Sequence, residues 1–426
     1  MLHPAIERLD DDAIRRLQEE RWTLQQARAA RSPLLRVLHG ARLDVPASLD
    51  AIVDWPLTDK EELRASQEAA PPFGDYVVAL EEELVRVHST SGLTGRGMTL
   101  AHTRADTVMN EELGARAMVA AGVRPTDRIV HCLNFRMWTG GLTDDRILEA
   151  AGATTLPYGV GDTRGLVELI VRMGVTGIQC TPSYPALIEQ VLREEADLAP
   201  RDLGLRIALF GGEAGLDNPG FRARLEETWG FAVRNANYGL SEVLSILGGQ
   251  CEHTNDLHFH PRDVVFAEIL DPATRERLPI VEGTTGELVC THLTKEAQPL
   301  VRYGTRDVVT ITGTGPCGCG RTTWRFRVTG RTDDMFNVRG VNVFPSAVRR
   351  VIDAHPALAS GMLRIVLRGP GPYDRIEVRA EAAETLPAAG FADAGATLAG
   401  AIRSALGASA AVEVVPFGSI PRTDGK

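Results

Sequence analysis

The chain has 426 residues, 44% of them hydrophobic, and a formal net charge of −10. That size suits two or three domains with proper cores, and the acidic balance argues against nucleic acid as the main partner, since a phosphate backbone calls for a basic face. It contains no apolar run of roughly eighteen residues and no signal-peptide core, so no membrane span is expected and a cytoplasmic location is; its six cysteines do not make a disulfide framework in a chain this long.

Residues 1 to about 70 read as amphipathic helices, and in "DWPLTDKEEL" Thr58 and Glu61 have the spacing of a capping box. Next comes "VHSTSGLTGRGMTLAHT", Val87 to Thr103, a loop rich in glycine and hydroxyls between two apolar runs. Gly92, Gly97 and Thr99 fit the spacing G-x-x-x-x-G-K-[ST], but Met98 stands where that motif needs lysine, which argues against a Walker ATPase. The loop can hold phosphate without it. Glycines let backbone N–H groups converge on an anion, and Ser89, Thr90, Ser91 and Thr94 add short donors.

From about 100 to 250, apolar "RIVHCLNF", "TGIQC" and "RIALFGGEA" alternate with helical "TDDRILEAAGA", "PSYPALIEQVLREE" and "NPGFRARLEETWG". That alternation predicts βαβ units around a largely parallel sheet, with ligands at the loops beyond the strand C-termini. Between about 260 and 330, "DVVFAEIL", "GELVCTHL" and "RDVVTITG" predict strands without long helices. "VTGRTDDMFNVRGVNVFPSAVRRVI" then opens a small α+β unit of about 95 residues. The expected class is α/β, with a large N-terminal domain over 1–329 and a small α+β domain over 330–426.

Two clusters offer soft ligands: "PCGCGR" with Cys317 and Cys319, and "CEHTNDLHFH" with Cys251, His253, His258 and His260. Thiolates and imidazoles from two distant segments are what a closed tetrahedral zinc site needs; reduced, unligated thiols are the alternative.

Four further stretches follow in order: "NYGLSEV" (Asn237 to Val243), "VRYGTRDVV" (Val301 to Val309), "GRTDDMFNVRGVNVFP" (Gly330 to Pro345) and "PRTDGK" (Pro421 to Lys426). With the glycine-rich loop, they resemble the adenylate-forming acyl-CoA synthetase superfamily, and most closely its phenylacetate–CoA ligase branch. "LTDKEELR", "TGGL", "TPSYPALIEQ" and "LTKEAQPLVRYGTRD" share that branch's style, and the resemblance runs from about residue 15 to the last.

The resemblance implies an aryl-acid–CoA ligase. A carboxylate attacks the α-phosphate of ATP, pyrophosphate leaves, and a thiol then takes the acyl group from the acyl-adenylate as AMP departs. Ser89, Thr90, Ser91, Gly92, Thr94 and Gly95 would hold the β- and γ-phosphates, with Leu93 where the family usually has a hydroxyl. Gly212 and Glu213 would lie on the adenine side with Asn237 and Gly239, and Tyr238 would stack on the base. Ser241 would approach the α-phosphate or acyl carboxylate, Glu242 would reach Mg²⁺, and Asp307 would accept the ribose hydroxyls. Arg331 would contact ribose or phosphate, and Lys426 would stabilise charge during adenylation. Asp333 would be the hinge of a mobile small domain, whose second pose brings Arg339 and Gly340 beside the incoming thiol. Phe135, Arg136, Met137, Trp138, Gly141, Ser183 and Tyr184 would line the acyl pocket over a floor at Gly211, with Arg136 available to a ring substituent.

Branch members that carry "PCxCGR" also carry "C…LH" upstream, which selects Cys251 and His258 to join Cys317 and Cys319 around a structural Zn²⁺. ATP, Mg²⁺ and CoA complete the expected set. A homodimer is what relatives suggest. Two alternatives remain open at this stage: delivery of the acyl group to a carrier-protein pantetheine, and an inactive nucleotide-binding homologue. Benzoate-, anthranilate- and phenylacetate-like acids are equally compatible with the sequence.

Overall fold

The computed structural model describes residues 1–90, 97–196, 198–213, 216, 219–334, 336–339, 341–369 and 373–421. Ser91, Gly92, Leu93, Thr94, Gly95, Gly340 and Lys426 lie outside them. Among the described residues no helix is long and apolar enough to cross a membrane.

The chain opens with α1 (Pro4–Glu7), α2 (Asp11–Ala29), α3 (Pro33–His39) and α4 (Lys60–Ala69). The capping box of α4 falls one residue later than expected. Asp59 Oδ1 accepts from Glu62 N at 3.0 Å and Glu62 Oε2 accepts from Asp59 N at 2.8 Å. Thr58 is drawn elsewhere: its hydroxyl donates to Val301 O at 2.7 Å, stitching the helical start to the main sheet.

β1 (Leu84–Ser89) and β2 (Thr99–Thr103) pair antiparallel, with Ser89 opposite Thr99, and so fix both ends of the glycine-rich loop. α5 (Arg104–Ala121) follows, capped by the reciprocal Thr103–Asp106 box. Next, β3 (Arg128–His131), α6 (Thr139–Ala150), β4 (Thr154–Pro157), α7 (Thr163–Met173), β5 (Gly177–Cys180), α8 (Tyr184–Val191), β6 (Ile207–Gly211), α9 (Pro219–Trp229) and β7 (Ala232–Leu240) alternate as the pattern predicts. Their strands run parallel in the order β7-β6-β5-β3-β4.

A parallel sheet survives only with both faces covered. Here Phe210 and Ile178 pack with Leu166, Ile170 and Trp229 on one side, while Leu209 and Ile129 pack with Met118 and Ile147 on the other. From β7 the same sheet turns antiparallel through β8 (Leu244–Cys251), β9 (Thr254–Phe259), β10 (Val265–Leu270), β11 (Arg277–Leu278), β12 (Thr285–His292), β13 (Tyr303–Gly313) and β14 (Arg325–Arg331). The parallel expectation therefore holds for the first half alone; the second half lacks the crossover helices that parallel pairing requires.

The tail is α+β. A hairpin of β15 (Phe336–Val338) and β16 (Val341–Val343) leads into α10 (Pro345–Asp353), β17 (Ala359–Val366), β18 (Ile376–Ala382), α11 (Phe391–Leu406) and β19 (Ala410–Val415). β18 and β19 are parallel with α11 as the crossover, and Val348, Ile352, Ile376, Val378, Leu398 and Ile402 build a separate core.

Candidate functional site

The C-terminal ends of β3, β5, β6 and β7 lie side by side, Cys180 beside Phe210 and Gly211 beside Asn237. Parallel strands present their ligands at this edge, and here it gathers residues 134–141, 181–184, 211–213 and 237–242. Two glycines make the approach close. A Cβ at Gly239 would sit 1.8 Å from Ser245 O, and one at Gly141 would sit 2.4 Å from Asn134 O.

On the nucleotide side, Asp307 of β13 stands opposite Arg331 of β14. Arg331 Nη1 donates to Asp307 Oδ1 at 2.6 Å, and the Tyr238 hydroxyl donates to Oδ2 at 2.8 Å. Burial pushes the Asp307 carboxyl up to about 6, with Arg331 pulling the other way. Neither neighbouring arginine takes Asp307: Arg302 makes two 3.0 Å bonds to buried Glu268, and Arg306 pairs with Glu61. Arg331 also grips Asp333 through Nε and Nη2 at 2.9 and 3.0 Å, so a single guanidinium links the expected ribose acceptor to the expected hinge.

Glu242 is buried, with Lys60 Nζ of α4 2.5 Å from its Oε1. The fully buried Lys295 donates to Glu242 O at 3.0 Å, fixing the backbone of the motif. Mg²⁺ takes one or two carboxylates and completes its shell with phosphate oxygens and water, so a metal bound at Glu242 would share the carboxylate with Lys60 or displace it. Ser241 sits in the turn between β7 and β8. Sequence reasoning missed Lys60 and Lys295 as site residues, although both lie in stretches carrying the family resemblance, "LTDKEELR" and "LTKEAQP".

On the expected acyl side, Met137 O accepts from Ser89 N at 2.7 Å and meets His88 Nδ1 at 3.1 Å, so the segment leading into the glycine-rich loop is tied to the 134–141 segment. Phe135 meets His131 edge to face at 5.2 Å, and Trp138 is half-buried beside it in sequence. Arg136 and Met137 are exposed, and Met137 holds a left-handed φ of 54°. The Ser183 backbone donates to Glu213 Oε2 at 3.3 Å. Tyr184 departs from the expectation. Its ring packs into the core with Phe210 and Leu166, and its hydroxyl lies 3.2 Å from Thr163 Oγ1, so it supports the pocket rather than lining it.

Asp144 of α6 was not anticipated. It is fully buried, accepts from Asn237 Nδ2, from Ser245 Oγ at 2.5 Å and from Gln179 Nε2 at 3.3 Å, and Gln179 Oε1 lies 3.2 Å from His131 Nδ1. Burial pushes its carboxyl up to about 8. This chain of polar contacts connects "NYGLSEV" to His131 at the end of β3, whose ring meets Phe135. In "TDD" two adjacent carboxylates look equally solvated, and only the tertiary fold distinguishes Asp144 from Asp145.

Apart from this edge, one ligand atom each from Cys251, His258, Cys317 and Cys319 lies within 4.8 Å of the others. Cys251 and Cys317 sulfurs are 3.8 Å apart, and Cys319 Sγ is 3.7 Å from His258 Nε2. A tetrahedral Zn²⁺ with bonds of about 2.3 Å to sulfur and about 2.05 Å to nitrogen needs edges of about 3.8 and 3.5 Å. The donor set therefore fits zinc. His253 and His260 stand aside: the first donates its backbone N–H to Cys251 Sγ, and the second turns Nε2 to Gly249 O at 3.2 Å.

A family model described as the AMP-binding enzyme C-terminal domain matches residues 340–426. The chain is 36% identical over 397 residues to the phenylacetate-coenzyme A ligase of Thermus thermophilus, covering 90% of this chain and 85% of that one. It is 34% identical over 429 residues to the enzyme of that name from Pseudomonas putida, covering 97% and 93%. A crystal structure of 2-hydroxyisobutyryl-CoA ligase in the postadenylation state, in complex with R3-HIB-AMP, matches with a TM-score of 0.86 at 31% identity over 98% of this chain and 88% of that one. The same ligase in its thioesterification state with 2-HIB-AMP and CoA matches at 0.71, with 30% identity over 98% and 89%. Identity of 34 to 36% over nine-tenths or more of the chain carries one conclusion: the chain belongs to the phenylacetate–coenzyme A ligase family of adenylate-forming enzymes.

Proposed function

We propose that this chain is an AMP-forming acid–CoA ligase whose acid is aromatic. The observation that carries the reading is the hydrogen-bonded cluster of Tyr238, Asp307 and Arg331, with Asn237 beside Tyr238 joined through Asp144 and Gln179 to His131, whose ring meets Phe135. Asp307 accepts the ribose diol, a role that needs its carboxylate ionised. Tyr238, held by Asp307 and set edge-on to Phe326 at 5.4 Å, borders the base. Ser89 and Thr90 open the phosphate loop. Glu242 would hold Mg²⁺, which neutralises phosphate charge as pyrophosphate leaves. Phe135 and Trp138 give the ring an apolar slot and keep water from the acyl-adenylate.

The body, 1–329, and the small domain, 330–426, would share this site by rotation about Asp333. Lys426 enters in the adenylating pose, and the loop of Arg339 and Gly340 enters in the thiolating one. The greater likeness to the postadenylation state supports assigning the present arrangement to the first pose. Cys251, His258, Cys317 and Cys319 would hold Zn²⁺ as a closed structural site, without a position for reactive water.

The test is an assay with ATP, Mg²⁺ and CoA against benzoate, anthranilate, phenylacetate and 2-hydroxyisobutyrate, following AMP, pyrophosphate and thioester together. Stoichiometric AMP and thioester with an aromatic acid is expected. Turnover of the aliphatic acid alone would overturn the aromatic assignment, and thioester formed on a carrier protein but not on CoA would overturn the acceptor.

A further inference from the structure

Two segments of the site meet at one carbonyl. Met137 holds a left-handed φ of 54°, and Trp138 N donates to Arg136 O at 2.6 Å across it, a three-residue turn of the rare, strained kind. Such a turn persists only where its surroundings over-determine it. Here the Met137 side chain is exposed and the backbone is what is held: Met137 O accepts from Ser89 N at 2.7 Å and lies 3.1 Å from His88 Nδ1.

His88 is 2% exposed, and its other ring nitrogen, Nε2, lies 2.8 Å from the hydroxyl of Thr143 on α6. A carbonyl can only accept, so Nδ1 carries the hydrogen and Nε2 accepts from Thr143. Burial pushes the imidazole down to about 4, which leaves the ring neutral at neutral pH with that single N–H. His88 is thus locked between β1, the Met137 turn and α6. Beyond Ser89, Thr90 closes the neck of the glycine-rich loop: its N–H donates to Met98 O at 3.0 Å and its hydroxyl accepts from Met98 N at 2.9 Å. The start of the expected phosphate loop and the expected acyl segment cannot part without breaking the bonds at Met137 O.

We infer that His88 is a positioning residue through which ATP and the acid each tighten the binding of the other. The assignment rests on the ligase reading above. Both ligands are anions that meet at the α-phosphate, so direct contact between them opposes joint binding. Favourable coupling has to come from the protein. A neutral ring joining the two segments supplies it without adding charge, because a ligand that orders one segment lowers the cost of ordering the other.

The test uses α,β-methylene-ATP, whose methylene bridge keeps pyrophosphate from leaving, with Mg²⁺ and whichever of benzoate, anthranilate and phenylacetate the enzyme turns over fastest. In the wild type, saturating acid should lower the Kd of the analogue about tenfold, and saturating analogue should lower the Kd of the acid by the same factor, since coupling is reciprocal. His88→Leu, which fills the space without a donor, should abolish the coupling and still bind each ligand alone. Thr143→Val frees Nε2 and should weaken the coupling even if His88→Leu fails to fold. His88→Asn, whose amide N–H stands where Nδ1–H does, should restore most of it. His102→Leu replaces the neighbouring buried ring, 5.5 Å from that of His88, and should lower the Tm yet keep the coupling. Independent binding in the wild type, coupling intact in His88→Leu or Thr143→Val, or an equal loss in His102→Leu overturns the role of His88, and the ligase reading stands as long as AMP and thioester are formed. An enzyme that makes no acyl-adenylate from any of the three acids overturns both.

Discussion

Asp307 shows how far a single side chain can be followed. Its carboxyl is buried and raised to about 6, so the ionised acceptor is fully present only above that pH. The KM for ATP should therefore climb as pH falls from 7 to 5, and Asp307→Asn should raise it by about tenfold or more and flatten the dependence, as measured by initial rates at saturating acid. An unchanged wild-type KM across that range would exclude Asp307 from the ribose site. Phe135→Ala and Trp138→Ala should raise the KM for the aryl acid far more than that for ATP; equal effects would make both rings packing residues. Candidates could be named from the sequence wherever chemistry restricts the choice, as with Asp307 and Glu242. Lys60, Lys295 and Asp144 escaped because a charged residue in a helical or loop pattern reads as solvated until tertiary contacts bury it.

At the scale of elements, α6 and the metal loop each depend on polar groups placed beneath the surface. Asp144→Ala would leave three donors, two of them buried, without their acceptor, at a cost of about 3 kcal/mol in urea unfolding, whereas Asp144→Asn preserves shape and costs less. The sign of the pH effect follows from the raised pKa. Between the unfolded value of 3.8 and about 8 the native state holds the proton that the unfolded chain loses, so this group's stabilising contribution falls as pH rises through that window. The difference in stability between wild type and Asp144→Asn should accordingly shift against the wild type from pH 5 to 8, and a constant difference would contradict a protonated Asp144.

The metal loop also clasps the start of the chain. Arg321 Nε donates to Glu7 Oε2 at 2.6 Å with both side chains 4% exposed, and the Thr322 hydroxyl donates to Leu9 O at 2.6 Å. Purified protein should contain about one zinc per chain, and Cys317→Ser should lose it, lower the Tm and speed hydrogen exchange in α1. A metal-free wild type of undiminished stability would contradict the site. Thiol and imidazole spacing offered six candidates, and the family resemblance singled out the four whose ligand atoms the fold brings within 4.8 Å of one another. The capping box of α4 slipped by one residue because the bend before β13, 243 residues away, captures Thr58, and no local pattern records that.

At the scale of the molecule, the alternating first half of the sheet and the α+β tail could be read from periodicity. The merging of parallel and antiparallel strands into one twelve-stranded sheet could not, since register between distant strands leaves no local mark. Nor could the pose of the small domain. If the two-pose account is right, Lys426→Ala should slow acyl-adenylate formation about a hundredfold, the scale of one lost charged transition-state contact, yet convert supplied acyl-adenylate to acyl-CoA at near the normal rate. Asp333→Pro should do the reverse by restricting φ at the hinge. The most direct measurement is a single turnover in two stages. Enzyme, ATP, Mg²⁺ and the preferred aromatic acid, mixed without CoA, should release a burst of one pyrophosphate per active site and retain acyl-adenylate; CoA added afterwards should discharge AMP and acyl-CoA in equal amounts. ADP and phosphate in place of pyrophosphate, or thioester formed without a preceding adenylate, would contradict the account.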